Sequence, residues 1–324
     1  MERIAFKVFF QNKDVTEDLS PYILSIRYKD FASSKDDELE LILSNKDMRF
    51  MNRWFPEKGT KVKAYIGYEN KLLPCGLFDI QEIEFSSHPD IVSVRCTSHA
   101  VKAQMRRTKR TKAWENTSLF EIVSDIANRY SLKPIIEGED VPIKRLDQKE
   151  ESDSTFLYRL AKSYGFNFKI LGDKLVFIEG KSLESKPPVK TIKREGILSY
   201  RITDSARKIY RACKIYYYDS RENKEREYIY ETNMPVGETL KVEERAENIQ
   251  QAIKKARAYL RKANKDKHTI ELELMGDPSL VAGLTVNLSG FGVYDGKHFI
   301  ESSEHEISDS GYLTRLEVRA CLNY

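Results

Sequence analysis

Apolar and polar residues alternate through the first hundred positions. Leu39, Leu41 and Leu43 share one parity, and Glu38 and Glu40 the other. Val62, Ala64 and Ile66 repeat the pattern, as do Val92, Val94 and Cys96 opposite Ser93 and Arg95. A period of two sends successive side chains to opposite faces, so these segments predict half-buried antiparallel strands. Between Leu77 and Phe85 the phase slips: Phe78 and Ile80 keep one parity, Ile83 and Phe85 take the other. A bulge near Gln81 accounts for the slip and would bend the strand, as barrels require.

Near residue 115 the period becomes helical. Leu119, Ile122, Val123, Ile126, Ala127 and Tyr130 fall on one stripe, and Ser118 with Glu121 forms a capping box. A second helix is predicted at 153–164, with Ser152 or Asp153 as cap, Phe156, Leu157, Leu160, Ala161 and Tyr164 as its stripe, and Gly165 as its end. A hairpin follows, Phe166–Leu171 and Lys174–Ile178, turning at Gly172–Asp173. Residues 180–195, with Gly180, Pro187 and Pro188, have the composition of a linker. Strands resume at 210–231 around a polar turn at Asp219–Asn223, and a third helix is predicted at 246–263. The remainder alternates again, through Ile270/Leu272/Leu274, Leu284/Val286/Leu288 and finally Leu316/Val318/Ala320/Leu322. The pattern predicts a mainly β chain with an α+β insertion. Two barrel-like β domains, 1–111 and 182–324, flank a small α/β domain, 112–181, and strands of the two barrels are free to interleave.

Composition narrows the chemistry. The 324 residues carry a net charge of only +4, with 32% charged residues, which disfavours a dedicated nucleic-acid binder. The 40% hydrophobic content suffices for packed cores. No signal-peptide pattern and no membrane-length apolar run occurs. Cys75, Cys96, Cys213 and Cys321 form no CxxC pair and read as reduced thiols of a cytosolic protein. His88, His99, His268, His298 and His305 show no metal-ligand spacing. In the stretch ESSEHEIS, strand alternation turns Glu304 and Glu306 away from His305. GxSxG is absent, and GDPSLVAG from Gly276 lacks the Lys–Ser/Thr pair of a phosphate loop. No catalytic, cofactor-binding or metal-binding residue is therefore expected. The strongest charge feature is MRRTKRTK, with Arg106, Arg107, Lys109, Arg110 and Lys112. It reads as a solvated loop between domains or as a contact for DNA or for an acidic partner surface. Tyr216–Tyr218 fits sheet packing better than base stacking.

One segment carries a family resemblance. Gln148, Glu151, Ser152, Asp153, Phe156, Leu157, Leu160, Ala161 and Gly165 stand at the spacing found in the late control protein D family of phage tail hubs. That family is similar to the hub part of the valine-glycine repeat spike proteins of type VI secretion. Asp14–Thr16, Ser25–Ile26, Trp54–Tyr68 and the final strands also fit. The resemblance implies a structural baseplate hub of a contractile tail, assembled in the bacterial cytoplasm into a virion or phage-like particle. It implies a homotrimer whose six barrels match a hexameric tube protein, with a separate trimeric spike and other baseplate proteins as partners. No membrane, no cofactor and no specific nucleic-acid contact is implied. Because the sequence ends at Tyr324, without a spike or lysozyme domain in view, those parts are expected on other chains. The Trp54–Phe55 pair is a candidate interface anchor or core pair, and the strand Thr314–Asn323 a candidate for a subunit boundary. Alternatives from other classes are a glycan- or nucleic-acid-binding module and a cell-wall hydrolase.

Overall fold

The computed structural model describes residues 2–33, 35–98, 101–204, 209–219, 223–234, 236–265, 267–322 and 324. His99, Asn323 and the centre of the turn expected at Asp219–Asn223 lie outside them. Strands hold 54% of the residues and helices 20%, so the chain is mainly β. Seven strands form the first half: Ile4–Phe10 (β1), Lys13–Asp14 (β2), Ile23–Phe31 (β3), Glu38–Ser44 (β4), Lys61–Tyr68 (β5), Lys71–Ser86 (β6) and Ile91–Ser98 (β7). The phase slip is a real irregularity, since the β6–β7 register shifts between Ile80 and Glu82.

The middle of the chain builds two small sheets and three helices. Val101–Arg107 (α2, after the short α1, Thr16–Leu19) leads into Lys109–Ser118 (β8), then Leu119–Arg129 (α3) and Lys133–Glu137 (β9). Pro142–Ser152 (β10) pairs antiparallel with β8 and leads into Asp153–Tyr164 (α4). Phe166–Leu171 (β11) and Lys174–Glu179 (β12) form the hairpin, and β12 also pairs with β9. These elements close around one core that includes Trp114, Ile122, Phe156, Leu160 and Phe177. The stretch expected as linker is instead ordered as Gly180–Ser185 (α5) and Thr191–Lys193 (β13). The reason is Ile192, which buries its side chain in the core of the last strands.

After Ser199–Asp204 (β14), a second excursion packs Ile249–Asn264 (α6) on a sheet of Tyr210–Asp219 (β15), Lys224–Glu231 (β16) and Glu238–Ala246 (β17). The last strands are His268–Met275 (β18), Thr285–Ser289 (β19), Gly296–Ser308 (β20) and Gly311–Ala320 (β21). Both ends of the chain enter one sheet of 13 strands. Its main path runs β14-β18-β21-β20-β3-β4-β7-β6-β5-β1-β2, joined through the antiparallel pair β20–β3. The path is open, and no closed barrel occurs among the described residues. β21 lies inside the sheet, paired on one side with β20 and on the other with β18, so the last strand is no exposed boundary. It is fully paired because its alternating leucine and valine face feeds the core that holds Ile270, Leu316 and Val318.

Candidate functional site

The family-like segment sits at the entrance of α4. Ser152 adopts extended backbone and its hydroxyl accepts from the Thr155 N–H at 3.2 Å, so Ser152 and not Asp153 is the cap. Gly165 ends the helix at φ +79°, a left-handed position suited to glycine. Phe156, Leu157 and Leu160 are buried, as is Ala161. Asp153 is wholly buried and gathers polar partners from three elements. Its carboxylate accepts from Arg129 Nη1 at 2.6 Å, Tyr130 Oη at 2.9 Å and Gln148 Nε2 at 2.8 Å. Arg110 Nε lies 3.2 Å away. Burial works against the charge, but the hydrogen bonds from Gln148, Arg129 and Tyr130 win and hold the carboxyl below its usual range. Glu151 points outward to an ion pair with Arg159 at 2.5 Å.

The basic run is not a loop. Arg106 and Arg107 end α2, and Lys109, Arg110 and Lys112 begin β8. Arg106 pairs with Asp36, Arg110 with Asp153, and Lys112 Nζ stands 3.4 Å from the centre of the Trp114 ring. Three of the five cations thus serve contacts within the fold, while Arg107 and Lys109 are exposed. The run became structured because β8 needs a partner strand, and β10 supplies it from Ser152↔Lys109 to Pro142↔Ser118, with one register shift between Gln148 and Glu151.

The seam β3–β20 has two chemically different faces. On the outer face, Arg27 is opposite Glu306 and Lys29 opposite Glu304. The ladder extends across neighbouring strands. Arg27 contacts Glu40 at 3.1 Å and Glu306 at 3.2 Å, Arg95 contacts Glu40 at 3.1 Å, and Arg315 contacts Glu306 at 2.6 Å and Glu273 at 3.1 Å. Each exposed pair contributes little alone, but opposite charges in register penalise a slipped seam. On the inner face His305 is fully buried. Its Nδ1 lies 2.7 Å from Tyr312 Oη, and its Nε2 lies 2.8 Å from Ser303 Oγ and 3.0 Å from the Leu280 carbonyl. Ser303 Oγ donates to that same carbonyl at 2.6 Å, so the hydroxyl proton is not offered to the imidazole. This Ser–His pair is sealed from substrate and cross-links a loop to the sheet.

Burial pushes the His305 imidazole down to about 4, against the Leu280 carbonyl and the Asp277 charge. The unfolded chain takes up a proton at about 6.5 that the folded chain refuses until about pH 4. Stability from this group is therefore lost as pH falls through that window, by up to about 3 kcal/mol. Asp30 acts in the opposite sense. Burial pushes its carboxyl up to about 6, with Asp37 adding to the rise and Lys169 opposing it, so folding takes up a proton between that value and the unfolded one. An Asp30→Asn variant should unmask an acid loss in urea titrations between about pH 6.5 and 4, to which His305 contributes together with the His298 and His268 imidazoles that burial also depresses, and His305→Asn in that background should reduce it. Stability that stays flat or rises on acidification of that variant would count against the buried neutral imidazole.

Asp30 belongs to a junction between the β sheet and the α/β block. Lys169 of β11 reaches Asp30, Asp37 at 2.9 Å and the Phe31 carbonyl at 2.9 Å. The other Asp30 oxygen accepts from the Ala282 N–H at 2.9 Å, so one carboxylate ties three parts of the chain. Burial opposes the Lys169 charge, but the two aspartates raise its pKa and keep it cationic. Sequence reasoning missed this junction and the Arg110–Asp153 pair. The usable signal was a lone lysine on the alternating strand Phe166–Leu171, where Phe166, Phe168 and Ile170 are buried. Among the described residues, no group of three His, Cys, Asp or Glu side chains could hold a metal ion. No helix among them is long and apolar enough to cross a membrane.

Comparison with known proteins gives these features a setting. A family model described as phage tail baseplate hub (GPD) matches residues 97–311. The probable baseplate hub protein of Escherichia phage 186 is 29% identical over 181 residues, covering 55% of this chain and 46% of that protein. The counterpart in Escherichia phage P2 is 29% identical over 179 residues, covering 54% and 45%. The match thus spans under half the length of these relatives. Among solved structures, the 43 kDa tail protein of prophage MuSo2 from Shewanella oneidensis superposes with a TM-score of 0.73 at 13% identity, over 97% of this chain and 98% of that one. An E. coli component of the type VI secretion system, described as similar to bacteriophage T4 tail proteins, gives 0.57 at 12% identity over 93% and 74%. At such identities the likeness concerns the fold.

Proposed function

The chain belongs to the phage tail baseplate hub family, and from that premise we propose that it is a homotrimeric adapter between a hexameric inner tube and a separate trimeric spike. The observation that carries this reading is the seam β3–β20. It joins two strand-rich halves whose apolar cores meet there, since Ile307 and Tyr312 of the second half pack into the core of the first, and each half places a hairpin beside the seam, β3–β4 and β20–β21. Two such units per chain would give six in a trimer, enough to meet sixfold symmetry on one side and threefold on the other. The division into a first hub unit at 1–111, an α/β insertion at 112–181 and a second hub unit at 182–324 belongs to the same proposal. So do assembly in the bacterial cytoplasm and contacts with other baseplate proteins. The family-like residues Gln148 to Gly165 would act by holding the insertion in shape, and Arg107 with Lys109 would be the part of the basic run open to a partner.

The role needs shape complementarity and no chemistry. Mass measurement across a dilution series, combined with electron microscopy of the purified protein, tests it. Threefold rings are expected, and a stable dimer or tetramer would refute the reading. Zymography on cell-wall substrate should give no lytic band. A clear band from this chain alone would favour the hydrolase alternative.

A further inference from the structure

One end of the β18–β21–β20 sheet breaks the apolar pattern of its own core face. Ile270, Val318 and Ile300 stand in one row across these strands, all fully buried. Side chains return to the same face at every second residue. The next row on that face is therefore His268, Ala320 and His298. His298 pairs with Ala320, and His268 follows the Thr269↔Arg319 pair. Adjacent strands lie about 4.8 Å apart, which puts the two histidine backbones roughly 9–10 Å apart. Only the methyl group of Ala320 stands between them on this face.

Both imidazoles carry a buried nitrogen with no hydrogen-bond partner, Nδ1 in His268 and Nε2 in His298. His298 is 3% exposed. Its tautomer follows from its one bond. Nδ1 lies 3.0 Å from the Gly296 carbonyl, which can only accept, so Nδ1 carries the proton and Nε2 holds a bare lone pair. A ring oriented by a carbonyl behind one nitrogen, with the other nitrogen open, is how metal-ligating histidines are held. His268 is steadied as well. Tyr294 packs edge-on against its ring and donates to Asp204, the residue paired with His268 on β14. Two unpaired nitrogens at one place are a cost that an apolar row would avoid. Both rings line one pocket of about 490 Å³. On its wall Lys181 and Lys297 balance Glu184 and Asp295, so recognition there rests on the lone pairs rather than on net charge.

We infer that His268 and His298 form a binding site for one zinc-like divalent ion, which clips β18 to β20 across β21. Imidazole nitrogens suit zinc, nickel and copper, whereas magnesium and calcium prefer oxygen. Two imidazoles leaning over Ala320 can close the span on a single ion at the usual nitrogen–zinc distance of about 2.0–2.1 Å. Among the described residues no third His, Cys, Asp or Glu side chain completes the set, so water fills the remaining positions. Spacing along the chain hides the pair, because only the shared pairing with β21 brings the two histidines onto one row.

The test is calorimetric titration of the full chain with Zn²⁺ at neutral pH under reducing conditions. One ion should bind per chain, and saturating Zn²⁺ should raise the melting temperature. His268→Gln changes a partly exposed side chain and should leave the metal-free melt as it is, while Zn²⁺ affinity falls by at least about tenfold. His298→Gln should weaken binding as strongly, and His88→Gln, outside the pocket, should change nothing. With Cu²⁺ in place of Zn²⁺, electron paramagnetic resonance should report two nitrogen ligands in the wild-type chain and one in His268→Gln. A wild-type chain that takes up no Zn²⁺, its two nitrogens meeting water instead, would overturn the site. So would binding that survives His268→Gln, or a Cu²⁺ spectrum with the same nitrogen count in both chains.

Discussion

Phe156→Ala should destabilise the protein by about 3–5 kcal/mol, read from urea midpoints followed by tryptophan fluorescence. Phe156 is fully buried, and its ring stacks on Trp114 at 6.2 Å between planes only 13° apart. The Arg159 guanidinium lies 5.1 Å from the ring centre. Truncation would leave a cavity lined by side chains of α4 and β8 that cannot collapse, because β8 is fixed by its pairing with β10. Lys112 stacks on the same tryptophan, so the reporter senses the lesion directly. Phe156→Leu should retain most of the stability, since it keeps most of the volume. A loss below about 1 kcal/mol for the alanine variant would mean that the ring is not buried in the assembled protein.

Asp153→Ala should be comparably severe, about 3–5 kcal/mol, for an electrostatic reason. The substitution removes one charge but strands two, because Arg129 and Arg110 both converge on the same buried oxygen. Tyr130 Oη and Gln148 Nε2 lose their acceptor at the same time. The Gln148 carbonyl oxygen already lacks a hydrogen-bond partner, so the side chain has no alternative arrangement to fall back on. Ser152→Ala, one residue away, should cost only about 1 kcal/mol, the usual loss of a helix cap. The two variants can be compared by the same urea titration. If Ser152→Ala proved the more damaging, the cap and not the ion cluster would be what organises the segment.

The strand and helix periods were legible from the sequence because they are local. The stripe Leu119 to Ala127, the capping box at Ser118 and the glycine end at Gly165 each depend on neighbours within a few residues, and the structure keeps all three. The slip at Gln81 was legible for the same reason, as parity survives any tertiary arrangement. The linker at 180–195 was misread because its prolines and glycine mark turns, whereas the burial of Ile192 depends on strands about a hundred residues further on. The basic run was misread because charge alone cannot say whether a partner exists. Arg110 found Asp153, and Arg106 found Asp36 across 70 positions. The seam makes the limit plainest. Alternation turned Glu304 and Glu306 away from His305 but named no partner for them, and 279 residues separate Arg27 from Glu306. Which strand pairs with which is decided by the free energy of the whole sheet. Loop closure over such distances costs little more than over short ones, so no local pattern records the choice. The sequence by itself determined the strongly periodic strands and helices and their buried faces. The tertiary structure alone decided that the two ends of the chain share one sheet, and that Lys169 meets Asp30 and Asp37, because those contacts exist only once distant strands have paired.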